Sequence, residues 1–333
     1  MADEHPFAPY VRILGRGRSK SRSLTEAEAR SAMAMILADE VTPEQLGAFL
    51  MLVRVKEETP EEIAGFVRAS RETLHPPAGV AVDLDWSSYA GKKRQLPWFV
   101  LAALALAGDG VRILMHGAEG HTPDRLYTRE ALESLGLPIA RSFDDAARHL
   151  ATVGFAYLPL EHASPSLDRI IGLRPVLGLR SPVHTIARML NPFRAPCSLQ
   201  GIFHPGYLDI HQAAACLLGE PRMAVFRGEG GEVERRPNKP AEVRTARDGV
   251  AGVTEWPAML ADSRRPPDGD MDLGRLRAVW RDTADDDYAT AAIVGTLAIA
   301  LHALGRADGP ADAEAAARVL WRGRDRKRLG AAA

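Results

Sequence analysis

Cysteine and long apolar runs are both scarce in this sequence. Its 333 residues include two cysteines, Cys197 and Cys216, which are too few for a disulfide scaffold and indicate a reducing compartment. No apolar run is long enough to span a membrane, and the first residues lack the apolar core of a signal peptide. We therefore expect a cytoplasmic protein with no membrane partner.

The chain has little net charge, and few of its cations are lysines. The formal net charge is −1, and six of the 42 basic residues are Lys, so the others are Arg. A hydrophobic content of 46% excludes a disordered tail. A neutral total still permits a basic face, because charges of one sign can gather on one side. Three stretches are locally basic: residues 12–22, 235–247 and 318–328.

Three capping boxes mark the beginnings of three helices in the first part of the chain. A Thr precedes an acid or amide by three positions at Thr25, Thr42 and Thr59, and apolar residues follow each box. In such a box the two side chains satisfy amides that the first helical turn leaves unpaired. Residues 1–75 are therefore predicted to form a small helical domain.

Strands and helices alternate after a Pro-rich linker at residues 75–77. Short apolar runs predict strands at residues 80–84, 111–115, 155–160 and 223–226. Longer periodic stretches predict helices at residues 98–107, 129–135, 284–304 and 311–321. We therefore predict that residues 76–333 form an α/β domain with a mostly parallel central sheet. Residues 164–192 also have a helical pattern, and we expect them to join the N-terminal helices.

Ligands of such sheets bind outside the carboxyl ends of the strands. This rule selects four loops, at residues 86–94, 116–122, 161–164 and 227–236. The first loop is basic, and Trp86, Tyr89 and Trp98 flank its cations, although we assign Trp98 to the core rather than to a stacking role. Cations bind phosphates regardless of base sequence, and aromatic faces stack on exposed bases. The combination is typical of nucleic-acid binding, although solvated loops can carry the same cations without a ligand.

Three segments carry a family resemblance. His116 and Gly117, followed by residues 131–136, are similar to a Lys-His-Gly-Asn … Leu-Glu-x-Leu-Gly segment. Residues 173–192 are similar to an Arg-x-x-Leu-Gly-x-Arg-Thr … Leu-x-Asn-Pro segment, and residues 24–74 resemble a helical dimerisation domain. In this order they resemble glycosyltransferase family 3, the superfamily of anthranilate phosphoribosyltransferase and pyrimidine nucleoside phosphorylase. The resemblance implies that fold and a homodimer built through the helical domain.

The segments that hold phosphoribosyl pyrophosphate in that family are degenerate here. The family's Gly-Thr-Gly-Gly-Asp loop corresponds to residues 88–94, which contain one Gly and three cations. Its magnesium-binding Asp-Glu pair corresponds to Glu232 and Glu234, which we expect to be solvated acids. We predict no catalytic residue, no metal site and no cofactor; only an active transferase would need Mg²⁺. The resemblance leaves a degenerate donor pocket made of Ser88, Gly91, His116, Gly117, Thr122 and Arg180.

Residues 86–98 and 226–237 are most similar to the YbiB-type branch of the family. That resemblance implies a protein without transferase activity that binds DNA or RNA with little sequence preference. The predicted contacts are cations of the first two basic stretches and of the first loop: Arg16, Arg18, Lys20, Lys92, Lys93, Arg94, Arg235, Arg236 and Lys239.

Other interpretations of the same residues stay open. The stretch at residues 12–22 is equally compatible with a disordered arm, and the cations at 322–328 are interpreted as the end of a helix. The alternative function is an active phosphoribosyl or pentosyl transferase with a divergent donor site. A third is a sensor that binds a small molecule in the degenerate pocket.

Overall fold

The computed structural model of the protein describes residues 3–17, 19–264 and 270–329. Arg18, one of the predicted nucleic-acid contacts, lies outside these residues. Within them, no helix is both long enough and apolar enough to cross a bilayer.

Four helices form the N-terminal part of the fold: α1 (Ala8–Gly15), α2 (Glu26–Leu37), α3 (Pro43–Lys56) and α4 (Pro60–Glu72). The three capping boxes are all present, and each Thr hydroxyl accepts a hydrogen bond from the amide three residues later, at 3.2 to 3.3 Å. Helix α1 is absent from the predicted elements. It is anchored by Phe7, whose ring meets Phe49 edge-on with the centroids 5.3 Å apart.

Within the residues that the structure describes, seven strands form one sheet. They are β1 (Leu84–Ser88), β2 (Ile113–Gly117), β3 (Phe155–Pro159), β4 (Cys197–Ile202), β5 (Arg222–Arg227), β6 (Ala241–Arg247) and β7 (Val250–Trp256). Their order in the sheet is β3-β2-β1-β4-β5-β6-β7. Strands β1 to β5 run parallel, whereas β6 and β7 are antiparallel to their neighbours. The helical domain and the mostly parallel sheet confirm the predicted fold class.

Strand β1 lies four residues later than the strand predicted at 80–84. All of its residues are buried, including the polar Asp85, Ser87 and Ser88. These groups have partners inside the fold: Ser87 Oγ donates to the carbonyl of Leu199 at 3.2 Å, for example. The apolar pattern pointed to the wrong residues, because polar side chains with internal partners can also line a buried strand.

Helices cover both faces of the sheet. They are α5 (Trp98–Gly108), α6 (Thr128–Ser134), α7 (Phe143–Val153), α8 (Leu160–Ala163), α9 (Pro165–Ile171), α10 (Arg174–Leu177), α11 (Val183–Arg188), α12 (Tyr207–Leu218), α13 (Gly274–Trp280), α14 (Asp287–Ala303) and α15 (Pro310–Gly323). The apolar helices α5 and α14 belong to one core. Helices α9, α11 and α12 share a second core with the N-terminal helices. The carboxyl ends of the parallel strands therefore open beside the helical domain.

Candidate anion-binding cleft

Loops from the carboxyl ends of β1, β2 and β5 meet at one place. Arg125 joins them, because its Nη1 donates to the carbonyls of Ala90 and Gly91 at 2.8 and 3.0 Å and to that of Gly230 at 3.4 Å. The parallel topology brings these loops to the same edge of the sheet. The first and fourth loops selected from the sequence are thus joined in space.

The loop after β5 presents its acids inward. We call residues 229–234 the acidic loop. Glu232 is 1% exposed, and its Oε1 accepts hydrogen bonds from the backbone amides of Ala90 and Gly91, both at 2.6 Å. The prediction that Glu232 and Glu234 are solvated is therefore wrong. Glu232 is hydrogen-bonded to two backbone amides and Glu234 is paired with a buried cation, and these partners take the place of water.

That buried cation is Lys92. Its ammonium forms an ion pair with Glu234, and the side chains are 1% and 0% exposed. Glu234 Oε2 also accepts from the amide of Phe99 at 2.9 Å. Burial raises the pKa of the Glu234 carboxyl, and the charge of Lys92 opposes this effect. Lys92 is unavailable to a phosphate, so its prediction as a nucleic-acid contact is wrong.

The same two carboxylates do not fit the magnesium of the family's active enzymes. Glu232 uses Oε1 for the loop amides, and Glu234 uses its oxygens for Lys92 and Phe99. A hard cation needs several oxygen ligands that face it without a competing ammonium. No group of three or more His, Cys, Asp and Glu side chains that could hold a metal ion occurs within the described ranges.

The aromatic residues of the first loop are also internal. Trp86, Tyr89 and Trp98 are at most 1% exposed. Tyr89 Oη lies 2.7 Å from His116 Nδ1, and His116 Nε2 lies 3.2 Å from Asp85 Oδ2. Burial raises the pKa of Tyr89 well above its ordinary value. The expectation that Trp86 and Tyr89 flank exposed cations is therefore wrong, because both rings complete the core instead. Trp98 lies in the core, as expected for it.

The predicted residues of the degenerate donor pocket make hydrogen bonds within the fold. Ser88 Oγ lies 2.6 Å from Thr128 Oγ1, and Gly117 pairs with Ser88 in the sheet. Thr122 Oγ1 accepts from Arg174 at 2.7 Å and from Arg180 at 3.1 Å. Two pairs of the predicted pocket residues are in contact, Ser88 with Gly117 and Thr122 with Arg180, and the other contacts are made to residues outside the predicted set. Burial and, to a smaller extent, the charges of Arg174 and Arg188 lower the pKa of Arg180 to about 10.

Beyond this buried layer the cleft is open and basic. Lys93 and Arg94 are exposed, and with Arg125 they line a cavity of about 350 Å³ that we call the outer cavity. The half-exposed ring of Phe203 lines the same cavity, and the guanidinium of Arg227 lies 6.0 Å from the ring centroid. Exposed cations and an exposed aromatic face therefore meet at the mouth of the cleft.

Phe203 also borders a smaller inner cavity of about 120 Å³, lined by Arg180, Ser181, His184 and Arg188 among others. Ser181 Oγ and His184 Nε2 are buried and lack a hydrogen-bond partner among the described residues. Burial, the neighbouring His121 and the arginines lower the pKa of His184 to about 2, so it is neutral at neutral pH. The inner cavity is therefore lined by two residues with unpaired polar atoms and by three arginines, Arg54, Arg180 and Arg188.

The remaining predicted contacts are scattered. Arg235 is 0% exposed; it pairs with Glu314 at 2.8 Å and lies 5.2 Å from the centroid of the Trp256 ring. Its prediction as a nucleic-acid contact is wrong, because strand β7 and helix α15 enclose it. Arg236 is half-buried and Lys239 is exposed. Arg16 and Lys20 are exposed just after α1, in the helical part of the chain.

Several cleft residues escaped the sequence-based prediction. Phe203 follows β4, a strand that the apolar pattern missed, and Arg125 lies just beyond the selected second loop. Arg227 ends the correctly predicted strand β5 and lies in the selected fourth loop, but it was not named among the contacts. Arg174 and Arg188 lie in the family-like segment at residues 173–192, which was the available signal for them.

Comparison with protein families agrees with this architecture. The chain matches the helical bundle domain of the glycosyl transferase family over residues 8–74 and the a/b domain of that family over residues 99–259. It belongs to this family. Anthranilate phosphoribosyltransferase from Moorella thermoacetica is 32% identical over 275 residues, which are 80% of this chain and 76% of that enzyme. The uncharacterized protein YbiB of Escherichia coli K12 is 27% identical over 234 residues, 71% of this chain and 72% of its own.

Solved structures show the same fold. Anthranilate phosphoribosyltransferase from Thermus thermophilus superposes with a TM-score of 0.79 at 22% identity, over 98% of this chain and 97% of that one. The enzyme from Saccharomyces cerevisiae, in complex with PRPP and Mg, superposes with a TM-score of 0.76 at 14% identity, over 98% and 96% of the two chains.

Proposed function

We propose that this protein binds nucleic acid with little sequence preference through the open part of the cleft. The observation that carries the proposal is the meeting of Lys93, Arg94, Arg125 and Arg227 with the exposed ring of Phe203. The resemblance to the YbiB-type branch supports the same function.

The cations and the aromatic ring of the cleft would contact different parts of a nucleic acid. Lys93, Arg94 and Arg227 are exposed, so they can contact phosphates and release condensed counterions. Phe203 is 49% exposed and can stack on an unpaired base, an interaction that every base permits. Neither contact distinguishes one base from another, which accounts for low sequence preference.

A homodimer built through the helical domain is part of the proposal. The family resemblance supports it, and two copies would carry two clefts. Linked sites raise the overall affinity for a long strand, because the second contact forms at a high effective concentration.

The decisive test is fluorescence anisotropy of a labelled oligonucleotide at several salt concentrations. We expect the affinity to fall linearly in log salt. The double variant Lys93→Gln with Arg94→Gln should weaken binding to every sequence and reduce the log–log slope by about 1.4 to 1.8, because two phosphate contacts are lost.

The matched control neutralises two exposed cations that line neither cavity, Arg148→Gln with Arg306→Gln, so the net charge changes equally. Its slope should stay near that of the wild type. Absence of binding at low salt, or equal losses in the two double variants, would contradict the proposal.

The second candidate is phosphoribosyl or pentosyl transfer from a divergent donor site. It is favoured by the identity to anthranilate phosphoribosyltransferases and by the inner cavity, where Ser181 and His184 present unpaired polar atoms. The contact between Glu232 and the loop amides counts against it, since a leaving pyrophosphate needs oriented donors. Magnesium-dependent pyrophosphate release from phosphoribosyl pyrophosphate, with an aromatic acid or base as acceptor, would establish this candidate instead.

A further inference from the structure

The amides of Ala90 and Gly91 form an anion-binding site that the chain itself occupies. We propose that Glu232 is an internal anionic ligand that excludes phosphate and pyrophosphate from these amides. The inference does not depend on nucleic-acid binding, because an oligonucleotide can use the outer cations while the amides stay closed.

The first observation is the convergence of two donors on one oxygen. Consecutive amides both point at Glu232 Oε1, each at 2.6 Å, in a place from which water is excluded. Successive backbone amides that converge in this way form a site for an oxyanion, and a charged acceptor makes such hydrogen bonds short and strong. A carboxylate occupies the position that a phosphate oxygen would take.

The second observation is that the acidic loop is shaped to deliver this carboxylate. A Cβ atom on Gly228 would lie 1.6 Å from the carbonyl oxygen of Glu232, and one on Gly201 would lie 2.3 Å from its carbonyl carbon. Two glycines, at the ends of neighbouring strands, are therefore required for the Glu232 backbone to sit where it does. The close approach of Gly201 and Gly228 therefore fixes the position of the Glu232 backbone at the edge of the sheet.

The third observation is that neighbouring contacts hold the two loops together. The ion pair between Lys92 and Glu234 joins the same loops, and Arg125 bridges Gly91 and Gly230 through their carbonyls. The positive charge of Arg188 also lies close enough to attract Glu232 electrostatically. The carboxylate is therefore held by the fold, and an external anion would have to break this arrangement to reach the amides.

Removal of the Glu232 side chain should change both the hydrogen bonding and the charge at the two amides. Glu232 Oε2 is buried and has no hydrogen-bond partner among the described residues, so one acceptor on this internal ligand is unused. If the side chain is shortened, the two amides lose their acceptor and the local charge becomes more positive. Both changes favour an oxyanion from solution.

The experiment follows the amide resonances of Ala90 and Gly91 by ¹⁵N NMR during titration with inorganic pyrophosphate. In the wild-type protein we expect these two resonances to stay in place while those near Lys93 and Arg94 shift. In Glu232→Ala the two resonances should shift, and the Kd for pyrophosphate should fall roughly tenfold or more, because at least one hydrogen bond to a charged group is gained.

Glu119→Ala is the matched control. Glu119 is a half-buried acid in the loop after β2, where it pairs with Arg129 at 2.6 Å and accepts from Tyr157 Oη at 2.7 Å, and its loss removes one negative charge without opening the amides. The inference is overturned if Glu119→Ala gains as much affinity as Glu232→Ala, or if Glu232→Ala is folded and gains none. If Glu232→Ala does not fold, the titration of the wild-type protein tests the inference by itself. A shift of the Ala90 and Gly91 amide resonances on addition of pyrophosphate would then overturn it.

Discussion

Lys92 and Lys93 are neighbours in the chain but belong to opposite regions of the molecule. Lys92 is 1% exposed and paired with Glu234 in the buried layer between the loops. The side chain of Lys93 is 59% exposed, and its nearest carboxylate, that of Asp124, lies 3.8 Å away in solvent. Two adjacent lysines therefore differ in whether a ligand can reach them. A cation is available to a ligand only where the fold places no buried acid against it.

The same contrast separates Arg235 from Arg227. Arg235 is enclosed by Glu314 and the ring of Trp256, whereas Arg227 ends β5 in solvent beside Phe203. A basic stretch in the sequence can therefore supply the core and the surface at once. Variants of residues in the buried layer should change stability, whereas variants of residues in the open cleft should change binding.

The largest effect is expected from Lys92→Met. It leaves the Glu234 carboxylate buried without its cation, which costs about 3–5 kcal/mol of unfolding free energy. Lys93→Met should change stability by less than about 0.5 kcal/mol. Urea denaturation of both variants measures the difference. Equal stabilities would contradict the internal role of Lys92, and the double variant Lys92→Met with Glu234→Leu should recover much of the loss.

Acid should destabilise the protein through its buried histidines. Burial lowers the pKa of His184 to about 2 and that of His211 to about 3. Between about pH 6.5 and 4 these two histidines become protonated in the unfolded chain but stay neutral in the folded protein. The free energy of unfolding therefore falls as the pH falls. Each contributes a slope of about 1.4 kcal/mol per pH unit.

The check is denaturant unfolding across this pH range for the wild type and His211→Gln. His211 Nδ1 lies 2.6 Å from Gln200 Oε1, so an amide can keep a hydrogen bond there. We expect a shallower pH dependence in the variant, because one buried histidine no longer contributes. A slope identical to that of the wild type would show that His211 does not resist protonation.

Phe203→Ala should weaken oligonucleotide binding by about 1–3 kcal/mol, the usual contribution of one stacked base. Phe203→Tyr retains an aromatic face and should bind nearly as well as the wild type. Anisotropy titrations at one salt concentration compare the three proteins. If alanine and tyrosine behave alike, the ring does not stack on a base.

The smallest expected effect concerns a single phosphate contact. Arg227→Gln should lower the salt slope of binding by about 0.7 to 0.9, one contact's share. Arg235→Gln, by contrast, should reduce stability and leave the slope of the folded protein unchanged. A lower slope in Arg235→Gln would place that side chain at the ligand rather than in the core.

Much of the architecture was predictable because its signals are local. The three capping boxes, the helix that begins at Trp98 and the strand that begins at Phe155 occur where the sequence predicts them. Strands β4, β6 and β7 escaped prediction, and β1 was misplaced. Those strands mix polar and apolar residues, and their polar groups are satisfied by residues far away in the chain, as Ser87 is by Leu199.

The family, the helical domain and the alternation of strands with helices were predictable from the sequence alone, since they follow from residue types at short spacing. Only the tertiary structure decided which charges are buried. Lys92 and Glu234 are 142 positions apart, and Glu232 reaches Gly91 across 141. Such pairs form because parallel strands bring distant loops to one edge, where burial makes an unpaired charge too costly. The same geometry leaves Lys93, Arg94 and Arg227 in solvent.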